Sequence, residues 1–211
     1  MPNPDTLIAF LGIALIITFA PGPDNLMVLG QSLARGRMAG FGIAVGCALG
    51  CFTHVLWATL GVSAALAASP MAFTALKLAG AAYLAWLGIQ AIRSGGQLAV
   101  NTQAAPSRPW RKDVGRGFVA NAINPKVGLF FLAFMPQFVH AEAGSATMQM
   151  LVLGLVFMLQ TVVVFGAVAY MAGGIGRLLK RRPGVAPWLD RIAGVIFIGL
   201  ALRLVLDDTQ G

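Results

Sequence analysis

Apolar residues run along this chain in long blocks. Six can be drawn, at about 6–31, 39–67, 71–92, 115–138, 147–173 and 187–206. Each is long enough for a membrane helix of about 20 residues. No charged residue occurs from Met38 to Leu76, and only Glu142 occurs from Val127 to Gly176. The second and third blocks are parted by Ala68-Ser69-Pro70 alone, which predicts a tight turn at one membrane face. The first block does not read as a signal peptide. No basic residue precedes it, and it continues past Pro23 without a small-x-small cleavage site. An uncleaved first helix is expected.

Composition turns this pattern into a class. Hydrophobic residues make up 58% of the 211, charged residues only 10%, and mean hydropathy is +0.80. A soluble domain carries roughly 25% charged residues, so a water-soluble enzyme, a disordered tail and a disulfide scaffold are excluded. The two cysteines, Cys47 and Cys51, lie within one apolar block and say nothing about redox compartment. The 26 glycines suit close approach of membrane helices. The class is an all-α polytopic membrane protein, one transmembrane domain over 1–211.

The net charge of +8 raises nucleic acid as a partner, and the position of the charge removes it. Arg35 and Arg37 fall in the first loop. Arg93, Arg108, Arg111, Lys112 and Arg116 fall in the third. Arg177, Lys180, Arg181, Arg182 and Arg191 fall in and around the fifth. The terminal tails and the other two loops hold no Lys or Arg. By the positive-inside rule the three basic loops are cytoplasmic and both termini lie outside. Residues 94–113 form a linker rich in Gly, Gln, Ala, Ser and Pro. It separates a first repeat, about 1–93, from a second, about 114–211. Three blocks per repeat means that the second enters the membrane from the opposite side. The expected plan is six helices as two inverted three-helix repeats.

Each repeat opens on a helix interrupted by proline, with an ionisable group just beyond. The first carries Pro21-Gly22-Pro23-Asp24-Asn25; the second carries Asn121-Ala-Ile-Asn124-Pro125-Lys126. Prolines there leave the carbonyls of Ile17, Phe19 and Asn121 without their usual helical donors. Such gaps survive in lipid only where protein or a water-lined cavity closes them. Asp24 lies 11 residues before Arg35, and Lys126 lies 10 after Arg116. At 1.5 Å per residue both are about 15 Å from the inner face, near mid-membrane. The half-helices beginning there aim their positive ends at the break. Such a place fits a zwitterion, its carboxylate facing the helix ends and Lys126, its ammonium facing Asp24. The bland alternative makes Asp24 a helix cap and Lys126 its neutraliser. Intramembrane charges cost at least about 2.5–3.5 kcal/mol each, which argues against idle ones.

These motifs, together with Gly117-Phe-Val-Ala preceding Asn121, Phe130-Phe131 after it, and the last block from Ala193 to Arg203, resemble the lysine exporter/homoserine–threonine exporter (LysE/RhtB) family along the whole chain. The resemblance implies a bacterial inner-membrane permease that expels amino acids or close derivatives on the proton-motive force, without a cofactor. It places Asp24, Asn121, Asn124 and Lys126 at the translocation site. The expected partners are an amino acid, protons and the lipid bilayer, with a second copy of the chain as the remaining candidate.

Two further polar residues sit inside apolar blocks. His54 titrates near neutrality and is a candidate proton carrier; its alternative is a histidine bonded to a carbonyl across the bundle. Gln160 reads as interhelical glue or as a pathway residue. Cys47, Cys51 and His54 share a helical spacing that invites a metal, but no further ligand accompanies them. Lys77 and Arg203 are expected to snorkel to the membrane faces, and Trp110 and Trp188 to anchor at them. Competing functions fare worse. A thiol–disulfide carrier needs a cysteine at each break, and neither has one. A divalent-cation exporter needs several deep carboxylates, and only Asp24 qualifies. No second deep Asp or nucleophile motif supports a protease, and no phosphate-binding loop supports ATP drive.

Overall fold

The computed structural model describes residues 1–68, 70–94, 106, 108–182 and 184–206. All regular structure among them is helical. In chain order the helices are α1 (Pro4–Phe19), α2 (Pro23–Arg35), α3 (Arg37–Ala68), α4 (Pro70–Arg93), α5 (Trp110–Ala122), α6 (Pro125–Ala133), α7 (Ala146–Arg181) and α8 (Val185–Leu206). Two short 3₁₀ turns, Met135–Phe138 and Ala141–Ala143, join α6 to α7. Prolines open α1, α2, α4 and α6, where their fixed φ suits the first helical position and no N–H is needed.

The first and fourth apolar blocks are each two helices. α1 and α2 meet at 59°, and α5 meets α6 with its following turn at 54°. Among the described residues, α3 and α7 are long and apolar enough to cross a membrane, and each bent pair qualifies as one more span. The outer surfaces agree with a lipid environment. Phe52, Leu56, Trp57 and Leu60 of α3, Leu155, Leu159 and Val163 of α7, and Val195 and Leu202 of α8 are all exposed. Such a continuous apolar exterior would not stay in water.

Some boundaries differ from expectation. α7 runs on to Arg181, although its apolar block stops at Met171-Ala172-Gly173. Basic residues in a final turn favour continuation, because they complement the negative end of the helix dipole. α5 already begins at Trp110, inside the stretch expected as linker; Asp113 in its first turn suits a helix start. Residues 95–105 and 107 of that linker, and Ser69 of the predicted turn, lie outside the described residues.

Small residues set the closest helix contacts. α3 packs on α5 through Gly46 and Gly50 on one side and Gly117 on the other. A Cβ on Gly50 would come within 2.7 Å of the Phe118 carbonyl oxygen, and one on Gly117 would strike the carbonyl of Ile43. α4 packs on α8 in the same manner, with a Cβ on Gly88 falling 2.7 Å from the Gly194 carbonyl. Between membrane helices, where burial gives little drive, such backbone approach supplies the van der Waals contact. The α3–α5 seam matters most here, because it fixes the height of Asn121, one turn beyond Gly117.

A cluster of aromatic rings fills the space beside the second break. Phe130 and Phe131 of α6 meet edge to face at 5.7 Å, and Phe157 of α7 packs on Phe131 at 4.8 Å. Phe10 of α1 touches Phe130 and Phe138. All are buried. Phe131 also stacks on the His54 ring. These rings give α6, only nine residues long, a packing that its own length could not supply.

Candidate functional site

The two breaks face one another and complete one another. At the first, Ala20 leaves helical geometry with ψ 126, Gly22 is extended, and no side chain caps α2. Its carbonyls are met from elsewhere. Asn25 Nδ2 donates to the Thr18 carbonyl at 2.8 Å. Lys126 Nζ reaches across from α6 and donates to the Ala20 carbonyl at 2.7 Å. The chain is thin here for a reason of space. A Cβ on Gly22 would lie 3.1 Å from Lys126 Nζ.

The second break is largely closed by its own residues. The Asn124 side chain caps α6 by accepting from the Lys126 amide at 3.0 Å, and the Asn124 amide donates to the Asn121 carbonyl at 2.8 Å. Pro125 denies that carbonyl its ordinary donor. His54 Nε2 supplies one at 2.7 Å, which requires a proton on Nε2.

Asp24 and Lys126 form no ion pair. The ion pair within 4 Å that the described residues show is Arg35 with Asp113. Asp24 Oδ2 instead accepts from Asn121 Nδ2 at 2.7 Å, and the Lys126 ammonium lies 5.5 Å from the centre of the Phe197 ring. Asp24, Asn121, Asn124 and Lys126 are all more than nine-tenths buried. Asp24 Oδ1 and Asn121 Oδ1 have no hydrogen-bond partner. Buried acceptors left bare cost free energy; the Asn121 oxygen lies against Gly50 of α3, and the bare Asp24 oxygen is the one that welcomes a cation with N–H groups.

A cavity here is lined by Gly22, Asp24, Asn25, Asn121, Asn124 and Lys126 together with Thr18, Thr161 and the apolar Ile17, Val127, Phe157 and Phe165. It offers about 20 Å³ of room for the centres of water-sized molecules, enough for a water and far below the roughly 300–1,000 Å³ of a ligand pocket. In this conformation the site is closed. A ligand larger than a water needs the helices around it to move apart.

Of the residues singled out from sequence, Gly22, Asp24, Asn25, Asn121, Asn124 and Lys126 meet at this cavity. Pro21, Pro23 and Pro125 shape its walls from behind. His54 holds the second break rather than facing the void. Gln160 donates to Thr18 Oγ1 at 2.8 Å, tying α7 to α1, and lies behind the lining; its own Oε1 has no partner. Thr18, Thr161 and Phe197 were not singled out. Thr18 and Thr161 flank predicted residues and carried the signal of a hydroxyl inside an apolar block. Phe197 had none, because one aromatic in an apolar helix reads as lipid-facing or core.

Two expectations near the membrane faces need restating. Lys77 does not snorkel outward. It is 6% exposed, because it shares the face of α4 on which Gly80 meets Ala133 of α6 and Leu204 of α8. Arg35, counted as a topology signal, also has a bond of its own. It grips both carboxylate oxygens of Asp113, at 2.6 and 2.9 Å, and the two side chains are 5% and 2% exposed.

Comparison with known proteins gives consistent matches. The family described as LysE type translocator matches residues 15–208. An uncharacterized membrane protein of Pseudomonas aeruginosa is 31% identical, over 92% of this chain and 91% of its own. A leucine efflux protein of Enterobacter is 28% identical over 90% of both chains. A homoserine/homoserine lactone efflux protein of Salmonella typhimurium is 29% identical over 90% of this chain and 91% of its own. No solved structure matches.

Proposed function

Because the chain belongs to the LysE type translocator family, we propose that it exports amino acids or close derivatives across the bacterial inner membrane, and that the two facing breaks are its translocation site. One observation carries the site: Asp24, with one bare carboxylate oxygen, and the buried Lys126 line one cavity. The α-ammonium of a substrate gives the bare Asp24 oxygen its missing donor. Its carboxylate takes the Lys126 ammonium, now on the Ala20 carbonyl, and the uncapped amides at the start of α2. Asp24 comes from one half of the chain; Asn121, Asn124 and Lys126 come from the other. A site shared between halves is what alternating access requires, since rocking one half against the other opens it to either side.

In this reading the plan is six spans. The bent pair α1–α2, α3 and α4 form one half; the bent pair α5–α6, α7 and α8 form the inverted other. The basic loops face the cytoplasm, both termini face the periplasm, and the proton-motive force drives export. The efflux relatives support amino acids as the class of substrate. A neutral amino acid fits best, since one acid and one base leave no surplus charge for a cationic side chain.

Cells expressing the protein should tolerate toxic concentrations of at least one amino acid, and should release it faster after loading with dipeptides. A protonophore should slow that release. Release at the rate of vector controls across a broad panel would overturn the reading.

A further inference from the structure

Away from the breaks, at the ends of two membrane spans, Arg37 and Arg177 line one open groove with Tyr170, Met171, Gly174 and Leu178. Arg37 is the first residue of α3, turned there by Gly36 at φ 90. Arg177 is one turn from the end of α7. Both helices are apolar immediately inward of these arginines, so the groove lies at the boundary of membrane and water.

The charge in this groove has no counter-charge. No acidic residue lines it. Arg37 sits over the Tyr170 ring, 4.6 Å from its centre, and among the described residues neither guanidinium has a hydrogen bond or an ion pair. Asp113, which packs against Gly42 of α3, is occupied by Arg35. The start of α3 adds the positive end of its dipole. Beside the two cations the surface turns apolar. Tyr170 is 69% exposed and Met171 59%, and a Cβ on Gly174 would touch nothing within 4 Å, so the groove is open along the helix.

We propose that this groove binds the phosphate headgroup of an anionic phospholipid, held between Arg37 and Arg177, with an acyl chain along Tyr170, Met171 and Leu178. Guanidinium groups suit phosphate because their paired N–H groups match its oxygens, and basic pockets at the ends of membrane helices take such headgroups. A free phosphate satisfies the charge and leaves the apolar wall bare; a lipid satisfies both. By joining the start of α3 to the end of α7, the lipid braces the two helices that flank the translocation site.

The test is a titration of the delipidated full-length protein in neutral detergent with short-chain phosphatidylglycerol, read as saturable thermal stabilisation. The wild type should respond, while short-chain phosphatidylcholine and inorganic phosphate should not stabilise it. In R37Q/R177Q the apparent affinity should fall about thirtyfold, the factor two cations near an anionic surface are worth. R111Q/K112Q, which removes the same charge from another exposed site, should respond as wild type. G174L keeps both cations and fills the groove, and should also weaken binding if R37Q/R177Q proves too unstable to titrate. Equal responses in wild type, R37Q/R177Q and G174L would make the attraction a diffuse effect of net charge. Equal stabilisation by inorganic phosphate would make the groove a site for soluble anions. Either result overturns the proposal.

Discussion

The two proline breaks look alike in sequence and are built differently. The break at Asn121–Lys126 closes on itself: Asn124 caps α6, its amide bonds the Asn121 carbonyl, and His54 completes that carbonyl from α3. The break at Ala20–Asn25 has two prolines, an uncapped α2 and one carbonyl that depends on Lys126 of the other half. The second break is held by its own side chains and by α3, and the first leans on it. Packing does not separate the two, since α5 is pressed onto α3 at Gly46, Gly50 and Gly117 and α2 onto α3 at Gly40, while α1 buries Phe10 among the rings and meets α7 through Gln160 and Thr18; the difference lies in how the broken carbonyls are met. A carbonyl met by a movable side chain, as Ala20 is by Lys126, can lose that bond when a ligand takes the side chain.

The comparison breaks most visibly at the charged pair of sides. Asp24→Asn removes the acceptor offered to a substrate ammonium, and Lys126→Gln removes both the carboxylate partner and the tie to Ala20. Each should lower transport at least about thirtyfold while the protein still reaches the membrane, the scale of losing one partner of a buried charged contact. Wild-type flux in both would reduce the breaks to scaffolding.

Next in size is the peripheral clasp. Asp113→Ala leaves Arg35 buried without its carboxylate, and a broken buried pair costs about 3–5 kcal/mol. The variant should unfold at clearly lower temperature in detergent; an unchanged melting point would show the pair to be idle. Smaller again is the difference between caps. Asn124→Ala should cost about 1 kcal/mol of stability, as loss of a helix cap does. Gly22→Ala should leave stability near wild type, its Cβ displacing only the flexible end of Lys126, yet should slow transport. Comparing melting and flux in these two variants separates the break that caps itself from the one that leans on Lys126. If Gly22→Ala were the less stable of the two, the roles of the breaks would be reversed.

What was legible from sequence follows from what each residue type can do alone. Proline beside an isolated charge in an apolar block has few readings, so both breaks and the residues at them could be named. Helix ends were visible at Pro23, Pro70 and Pro125, and hidden at Arg181, where helix persists past its apolar block. Partners were not legible. Asp24 and Lys126 invite pairing by depth and sign, but Asn121 stands on the carboxylate and Ala20 on the ammonium, a choice set by helix height. Asp113 gave no sign of its bond to Arg35, because the partners lie 78 residues apart and linker charges read as solvated. Lys77 looked interfacial from its place in the sequence, and only the face of α4 it occupies shows otherwise.

The central claim is that a zwitterion crosses at the facing breaks. Counterflow in proteoliposomes tests it most directly: purified protein, vesicles preloaded with one unlabelled amino acid from a broad panel, and entry of its labelled form timed. At least one neutral amino acid should exchange, and Asp24→Asn should abolish the exchange in vesicles holding equal amounts of protein. Failure of every amino acid to exchange, with transport of a divalent metal ion by the same vesicles, would contradict the account.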